Sequence, residues 1–161
     1  MTKPAVIGLL LISPVSLSLA QQVHSSVKQV VTVEVRPIAV IQVSGNPGPL
    51  LVHKTNANEA GSVTDQRTHY SVATNLDNMK IVASINSSMP SGTKLKINLA
   101  SGRARSSGDV DISQALAPVD VVTGIGRGSD RDQSIEYTFI AASGVGESVH
   151  DGRVVTLTLT D

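Results

Sequence analysis

The chain has 161 residues with 13 basic and 13 acidic side chains, no cysteine, no tryptophan, two tyrosines and one phenylalanine. The missing cysteine excludes disulfides, thiol catalysis and thiolate metal sites, and the balanced charge does not favour nucleic acid or an anionic membrane surface. The scarcity of aromatic rings argues against single-stranded nucleic acid, which is usually bound by stacking, and against a flat glycan-binding platform.

Residues 1–20 have the pattern of a secretory signal peptide. Lys3 supplies the positive charge, an apolar run follows over residues 5–12, and small residues precede a cleavage point after Ala20. The alternative is a membrane anchor, but a spanning helix needs about 20 apolar residues and this run is broken by Pro14. We therefore expect a secreted protein, extracellular or at the cell surface, with no membrane span after cleavage.

The first predicted strand covers residues 27–35, which are rich in valine and threonine. Val31, Val33 and Val35 lie on one face of it. Pro37 then interrupts, because proline has no backbone N–H to give to a strand ladder. The residue before a proline avoids the helical region, so Arg36 should keep the chain extended. We interpret residues 21–36 as an N-terminal strand and possible donor arm, and residues 37–161 as the main domain.

Residues 38–43, "IAVIQV", are apolar on both faces as far as Gln42, which predicts a strand covered from two sides. Later segments alternate apolar and polar residues, most clearly "GTKLKINLASG". Alternation places Tyr70, Val72 and Thr74 on one face of their strand. The predicted core residues are Ile81, Ile85, Leu95, Ile97, Leu99, Ile135, Tyr137, Phe139, Val155, Leu157 and Leu159.

About seven to eight short strands, separated by turn-forming residues, predict an all-β fold. The favoured architecture is an antiparallel immunoglobulin-like β-sandwich, and a barrel is the alternative. Only "DISQALA", residues 111–117, looks helical, and Pro118 limits it. It is interpreted as a one-turn helix or as a loop that crosses between sheets. The glycine-rich segments "SGRARSSGD" and "GIGRGSDRDQS" are interpreted as polar loops.

Reactive groups form no recognisable catalytic pattern. Alternate carboxylates, Asp109 with Asp111 and Asp130 with Asp132, can contribute to a calcium site, but the EF-hand pattern is absent and solvated loop charge is the default interpretation. The four histidines lack metal-binding spacing, and "GIGRG" is followed by a predicted strand rather than the helix of a dinucleotide loop. We therefore expect neither an enzyme nor a bound cofactor.

The last third of the chain carries "VVTGI", then "I-x-Y-T", then a closing "R-x-V-T-x-T-x-T" strand. This pattern resembles small secreted bacterial β-proteins. The general design resembles pilus or matrix subunits of extracellular fibres assembled by donor-strand exchange, in which the N-terminal strand of one subunit completes the fold of its neighbour. The chain lacks the cysteine pair and the aromatic residue near the end of chaperone–usher pilins.

The resemblance implies a fibre subunit whose partners are copies of itself. It places the subunit interface at the N-terminal strand and the joint that follows, namely Val27, Val31, Val33, Val35, Arg36 and Pro37. The alternative is a monomeric secreted module for binding or adhesion. Nucleic acid is not an expected partner under either hypothesis.

The signal-peptide interpretation predicts where the exported chain begins. Cleavage after Ala20 leaves Gln21 as the first residue, open to cyclisation to pyroglutamate. Intact mass and N-terminal sequencing of exported protein check this. An exported product that retains residues 1–20 would instead identify the segment as an anchor.

Overall fold

A computed structural model of the chain describes residues 26–53, 58–145 and 152–161. The predicted signal peptide, its cleavage point, His24 and His150 lie outside the described residues.

The described residues form nine strands and no helix. The strands are β1 (Ala39–Ser44), β2 (Gly61–Thr74), β3 (Met79–Ile85), β4 (Thr93–Leu99), β5 (Arg105–Ser106), β6 (Val110–Asp111), β7 (Val119–Ile125), β8 (Gly128–Ala141) and β9 (Val155–Thr160). The all-β prediction is confirmed. The structure has more strands than were predicted, and two of them, β5 and β6, are only two residues long.

The strands belong to two antiparallel sheets, an arrangement consistent with a β-sandwich. The five-stranded sheet has the order β1-β2-β8-β4-β6, and the four-stranded sheet has the order β5-β7-β3-β9. The long strands β2 and β8 pair along most of their length and form the centre of the larger sheet. In the smaller sheet, β3 lies between β7 and β9.

One hydrophobic core is built from the inward faces of both sheets. Seven of the predicted core residues are fully buried: Ile81, Ile85, Leu95, Ile97, Leu99, Ile135 and Tyr137. The buried faces of Tyr70, Val72 and Thr74 are likewise confirmed. Phe139 is only half-buried, because it lies near the end of β8, opposite the half-buried Val63. Val155, Leu157 and Leu159 pack against the core but are also half-buried.

Residues 112–118 form a turn that carries the chain from β6 in the larger sheet to β7 in the smaller one. Ile112 and Ala115 are buried in the core, and the Ile112 N–H donates to the Leu95 carbonyl at 2.9 Å. The sheet-crossing interpretation of this segment is therefore confirmed, and the helical one is wrong. The two apolar side chains of this short segment are buried in the core, although the segment forms a turn and not a helix.

Tyr70 fixes the turn that follows β4. Its hydroxyl donates to the Ala100 carbonyl at 2.6 Å, while Asp130 accepts hydrogen bonds from the Ser101 hydroxyl at 2.8 Å and the Gly102 N–H at 3.0 Å. Burial raises the pKa of Tyr70 to about 12. The neutral phenol is therefore the form that this contact requires.

The core packing predicts unequal effects for two neighbouring substitutions in β4. Ile97→Ala removes a fully buried side chain and should lower the free energy of unfolding by about 2–5 kcal/mol. Lys96→Ala, on the opposite face, should change it by no more than about 0.5 kcal/mol. Chemical denaturation of both variants measures the difference, and equal losses would show that the register of β4 is wrong.

The buried phenol predicts a loss of stability in alkali. The folded-state pKa of Tyr70 lies above its ordinary value of 10.0, so its stabilising contribution is complete below pH 10 and is lost towards about 12. Tyr70→Phe should cost about 1–2 kcal/mol at neutral pH, since the Ala100 carbonyl loses its donor.

Unfolding curves recorded between neutral pH and pH 12 check this prediction, and the variant should show the flatter pH dependence. Burial also raises the pKa of Tyr137, so some alkaline loss should remain in the variant. An unchanged alkaline slope in Tyr70→Phe would contradict the assignment to Tyr70.

Candidate functional site

The two sheets end in edge strands of very different length. On one side the edges are β5 and β6, each two residues long and each carrying a charged residue, Arg105 and Asp111. On the other side the edges are β1 and β9, each six residues long, and these two strands approach one another. Short, charged edges discourage further strand pairing, whereas long, uncharged edges permit it.

The edge formed by β9 has the composition of a strand that accepts a partner. Its sequence, "VTLTLT", contains no charge, proline or glycine. Among the described strands it pairs only with β3. Val155, Leu157 and Leu159 contact the core yet remain half-buried, while Thr156 and Thr158 are exposed on the outer face. The core is therefore incompletely covered along this strand.

β1 is the edge strand of the larger sheet on the same side, and it approaches β9. Ile41 packs against the core but is only half-buried, and Val43 is 51% exposed. The prediction that this segment is covered from two sides is wrong, because five of the six residues of β1 are exposed. The strand lies at a sheet edge and pairs with β2 alone among the described strands. We call the edges of β1 and β9, with half-buried Ile41, Val155, Leu157 and Leu159, the open side.

The N-terminal segment contains no strand. The strand predicted over residues 27–35 is absent from the described residues 26–38, and β1 begins only at Ala39. The side chains of Val27, Val31, Val33 and Val35 are exposed, by 92% at Val27 and 72% at Val31. Pro37 separates this segment from β1, because proline has no backbone N–H to donate to a strand ladder.

Asn75, which sequence reasoning missed, fixes the backbone on both sides of Pro37. Its side-chain amide donates to the Arg36 carbonyl at 2.7 Å, and its side-chain oxygen accepts from the Ile38 N–H at 2.7 Å. Its own N–H donates to the Ile38 carbonyl at 3.1 Å. We call this arrangement the Asn75 clamp. Asparagine suits it, because one amide group both donates and accepts.

The Asn75 clamp defines the end of the domain at which the N-terminal segment joins it. Ala39 is paired with Thr74, just before the clamp, and Lys80, just after it, is paired with Thr160 of β9. The segment therefore joins the domain at the end where β9 finishes. The beginning of β9, at Val155, lies at the opposite end beside Ile85.

Three of the four candidate calcium ligands, Asp109, Asp111 and Asp130, accept hydrogen bonds within the fold. Asp109 accepts from the Asn98 amide at 3.1 Å, and Asp111 accepts from the Ser113 N–H at 2.9 Å. The hydrogen bond from the Ser113 hydroxyl outweighs burial and lowers the pKa of Asp111. Asp130 holds the turn after β4, as described above. In the part of the chain that the structure describes, no group of three or more acidic or histidine side chains is placed to hold a metal ion.

A shallow cleft of about 470 Å³ lies beside the β6–β7 crossing. It is lined by Thr93, Lys94, Asp111, Ser113, Gln114, Ala115 and Val119. Its charged groups neutralise each other, since the Lys94 ammonium lies 3.8 Å from the Asp111 carboxylate. The cleft therefore has a mixed lining without an unpaired charge that selects a ligand.

Comparison of the chain with protein-family models, with curated proteins and with solved structures gave no match. Within the described ranges, the structure also has no helix that is long and apolar enough to cross a membrane. Interpretation of the site therefore rests on the geometry of the open side and of the N-terminal segment.

The clamp predicts a local effect of Asn75→Ala. Loss of the two side-chain hydrogen bonds should lower the free energy of unfolding by about 1–2 kcal/mol and accelerate exchange of the Ile38 amide. Hydrogen exchange followed by NMR measures both. Asn98→Ala, which removes a hydrogen bond to Asp109 elsewhere, should leave Ile38 exchange unchanged. Equal exchange at Ile38 in the two variants would contradict the clamp.

Proposed function

We propose that the protein is a structural subunit of an extracellular filament or surface matrix, and that it polymerises when residues 27–35 of one copy complete the fold of the next. The observation that carries this proposal is a segment with exposed valines and no strand structure, joined to a domain whose edge strands leave apolar side chains only half-buried.

The free energies of side-chain burial and of backbone ordering favour pairing of the segment with a preformed strand edge. Full burial of a valine is worth about 1.5–3 kcal/mol, whereas fixing the backbone of one residue costs about 1–2 kcal/mol. Because only five of the nine residues are apolar, burial alone does not offset the ordering of the whole segment. An ordered sheet edge adds backbone hydrogen bonds, and it needs little ordering of its own.

The joint at Pro37 supports donation of residues 27–35 to another molecule. The Asn75 clamp fixes Arg36 and Ile38, and Pro37 prevents the segment from continuing the β1 ladder. If residues 27–35 become extended at about 3.3 Å per residue, they span roughly 30 Å, which exceeds the length of either open edge. In the proposal, this added strand completes a sandwich of immunoglobulin-like architecture.

Export is part of the same proposal. Polymerisation outside the cell requires the signal peptide expected at residues 1–20, and a structural role requires no catalytic group or cofactor. The competing proposal is a monomeric binding or adhesion module. The observation in its favour is the cleft that includes Lys94 and Asp111.

Removal of the arm predicts loss of assembly. The exported chain should form filaments visible by electron microscopy, whereas a chain lacking residues 21–35 should remain unpolymerised and prone to aggregation. A synthetic peptide of residues 27–35, added in trans, should restore a soluble, capped monomer. Size-exclusion chromatography with light scattering distinguishes these states.

Two substitutions test whether one face of the arm drives assembly. Val33→Asp places a charge on the apolar face and should abolish filaments, while Thr32→Asp places the same charge on the other face and should permit them. Both positions are exposed in the single chain, so neither change should disturb the domain itself. An exported wild-type chain that stays a stable monomer at high concentration would refute the filament proposal.

A further inference from the structure

We infer that the acceptor for the arm is the free edge of β9, and that residues 27–35 of a second copy pair with it in the antiparallel direction, with Val33 opposite Leu157. This inference rests on the proposed function and specifies the partner surface, the strand direction and the register.

The identity of the acceptor strand follows from coverage of the core. The larger sheet has five strands and the smaller has four, and β9 is the longer edge strand of the smaller sheet. A strand added to β9 gives both sheets five strands and covers the half-buried Val155, Leu157 and Leu159. The other open edge, β1, presents inward only Ala39, Ile41 and Val43, of which Ile41 alone packs against the core.

The apolar spacing of the two strands also matches. Val31, Val33 and Val35 recur every second residue, as do Val155, Leu157 and Leu159. Because side chains of paired strands lie on the same face when their residues are directly opposite, all six can face inward together. A shift by one residue would place polar Thr32 and Glu34 against the core.

The strand direction follows from where the arm joins its own domain. The arm leaves the end at which β9 finishes. In an end-to-end stack of copies in one orientation, it reaches its neighbour at the opposite end, where β9 begins at Val155. Val35 then lies nearest Val155 and Val27 points towards Thr160, which is antiparallel pairing. An arm that folded back onto its own β9 would run parallel instead.

This direction sets a register that can be measured. Antiparallel pairing places Val35 opposite Val155, Val33 opposite Leu157 and Val31 opposite Leu159. On the outer face, Glu34 then lies opposite Thr156. Parallel pairing on the same apolar face would instead place Glu34 opposite Thr158. Thr156 and Thr158 are both exposed in the single chain, so substitution there spares the core.

Engineered cysteines distinguish the two registers, since the natural chain has no cysteine to interfere. The first variant carries Glu34→Cys and Thr156→Cys, and the matched variant carries Glu34→Cys and Thr158→Cys. Residues directly opposite are about 5 Å apart and diagonal neighbours about 7–8 Å apart, while a disulfide requires Cα atoms within about 7 Å. Mild oxidation should therefore link the first variant into ladders between chains, at least tenfold more than the second.

Assembly is scored first, under reducing conditions, by electron microscopy. Non-reducing electrophoresis after oxidation then reads the register, and ladders from the Glu34 and Thr156 pair support the inference. Filaments with ladders from neither pair would refute β9 as acceptor and leave the proposed function standing. Ladders from the Glu34 and Thr158 pair alone would refute the antiparallel direction.

Two results would defeat the proposed function together with this inference. One is the absence of filaments from both variants and from the wild type. The other is a disulfide of the Glu34 and Thr158 pair closed within one chain, seen as a faster-migrating monomer. That product would assign the arm to its own β9.

Discussion

The need to cover apolar side chains on the open side dominates the structure. β9 and β1 are edge strands on the same side of the two sheets, and their inward residues Ile41, Val155, Leu157 and Leu159 are only half-buried. Stable sheets either shorten and charge their edges or pair them. This chain does the first at β5 and β6 and neither at β9, whose edge has only valine, leucine and threonine.

The difference between buried and half-buried side chains explains how the domain can be stable and also able to bind the proposed partner strand. Buried residues of β3, β4 and β8 contribute to a core against which the half-buried residues of the open side pack. The half-buried residues of β9 are supported on one edge by β3. A partner strand would therefore meet an ordered surface rather than having to create one, which reduces the entropy lost on binding.

Sequence reasoning succeeded where alternation is unbroken. Leu95, Ile97 and Leu99 alternate with polar residues, and a period of two leaves only one face for burial. It failed where composition and pairing disagree. Residues 128–134 of β8 are polar and glycine-flanked, like a loop, but they form a strand because β2 pairs with them along one edge. Backbone hydrogen bonds between strands do not depend on the side-chain type, so the sequence does not reveal this pairing.

Some parts of the candidate site could likewise be predicted from the sequence, and others could not. The valine spacing and Pro37 are visible in the sequence, and the proposed arm and its joint are predicted from them. Asn75 is not visible in this way, because its partners are backbone groups almost 40 residues away and asparagine before a turn is unremarkable. The open side depends on strand order, which alternation alone does not determine. The apolar pattern of β1 even suggested a covered strand, although the structure places it at an edge.

The Asn75 clamp also determines how the domain carries mechanical load. A pull on the segment before Pro37 reaches Asn75 through the Arg36 carbonyl and reaches β1 through the backbone. Because β1 lies antiparallel to β2 over six residues, a pull along its axis strains those ladder bonds together in shear rather than one at a time. The weakest element of the load path is then the exposed amide–carbonyl contact at the joint, which would yield before the core is disturbed.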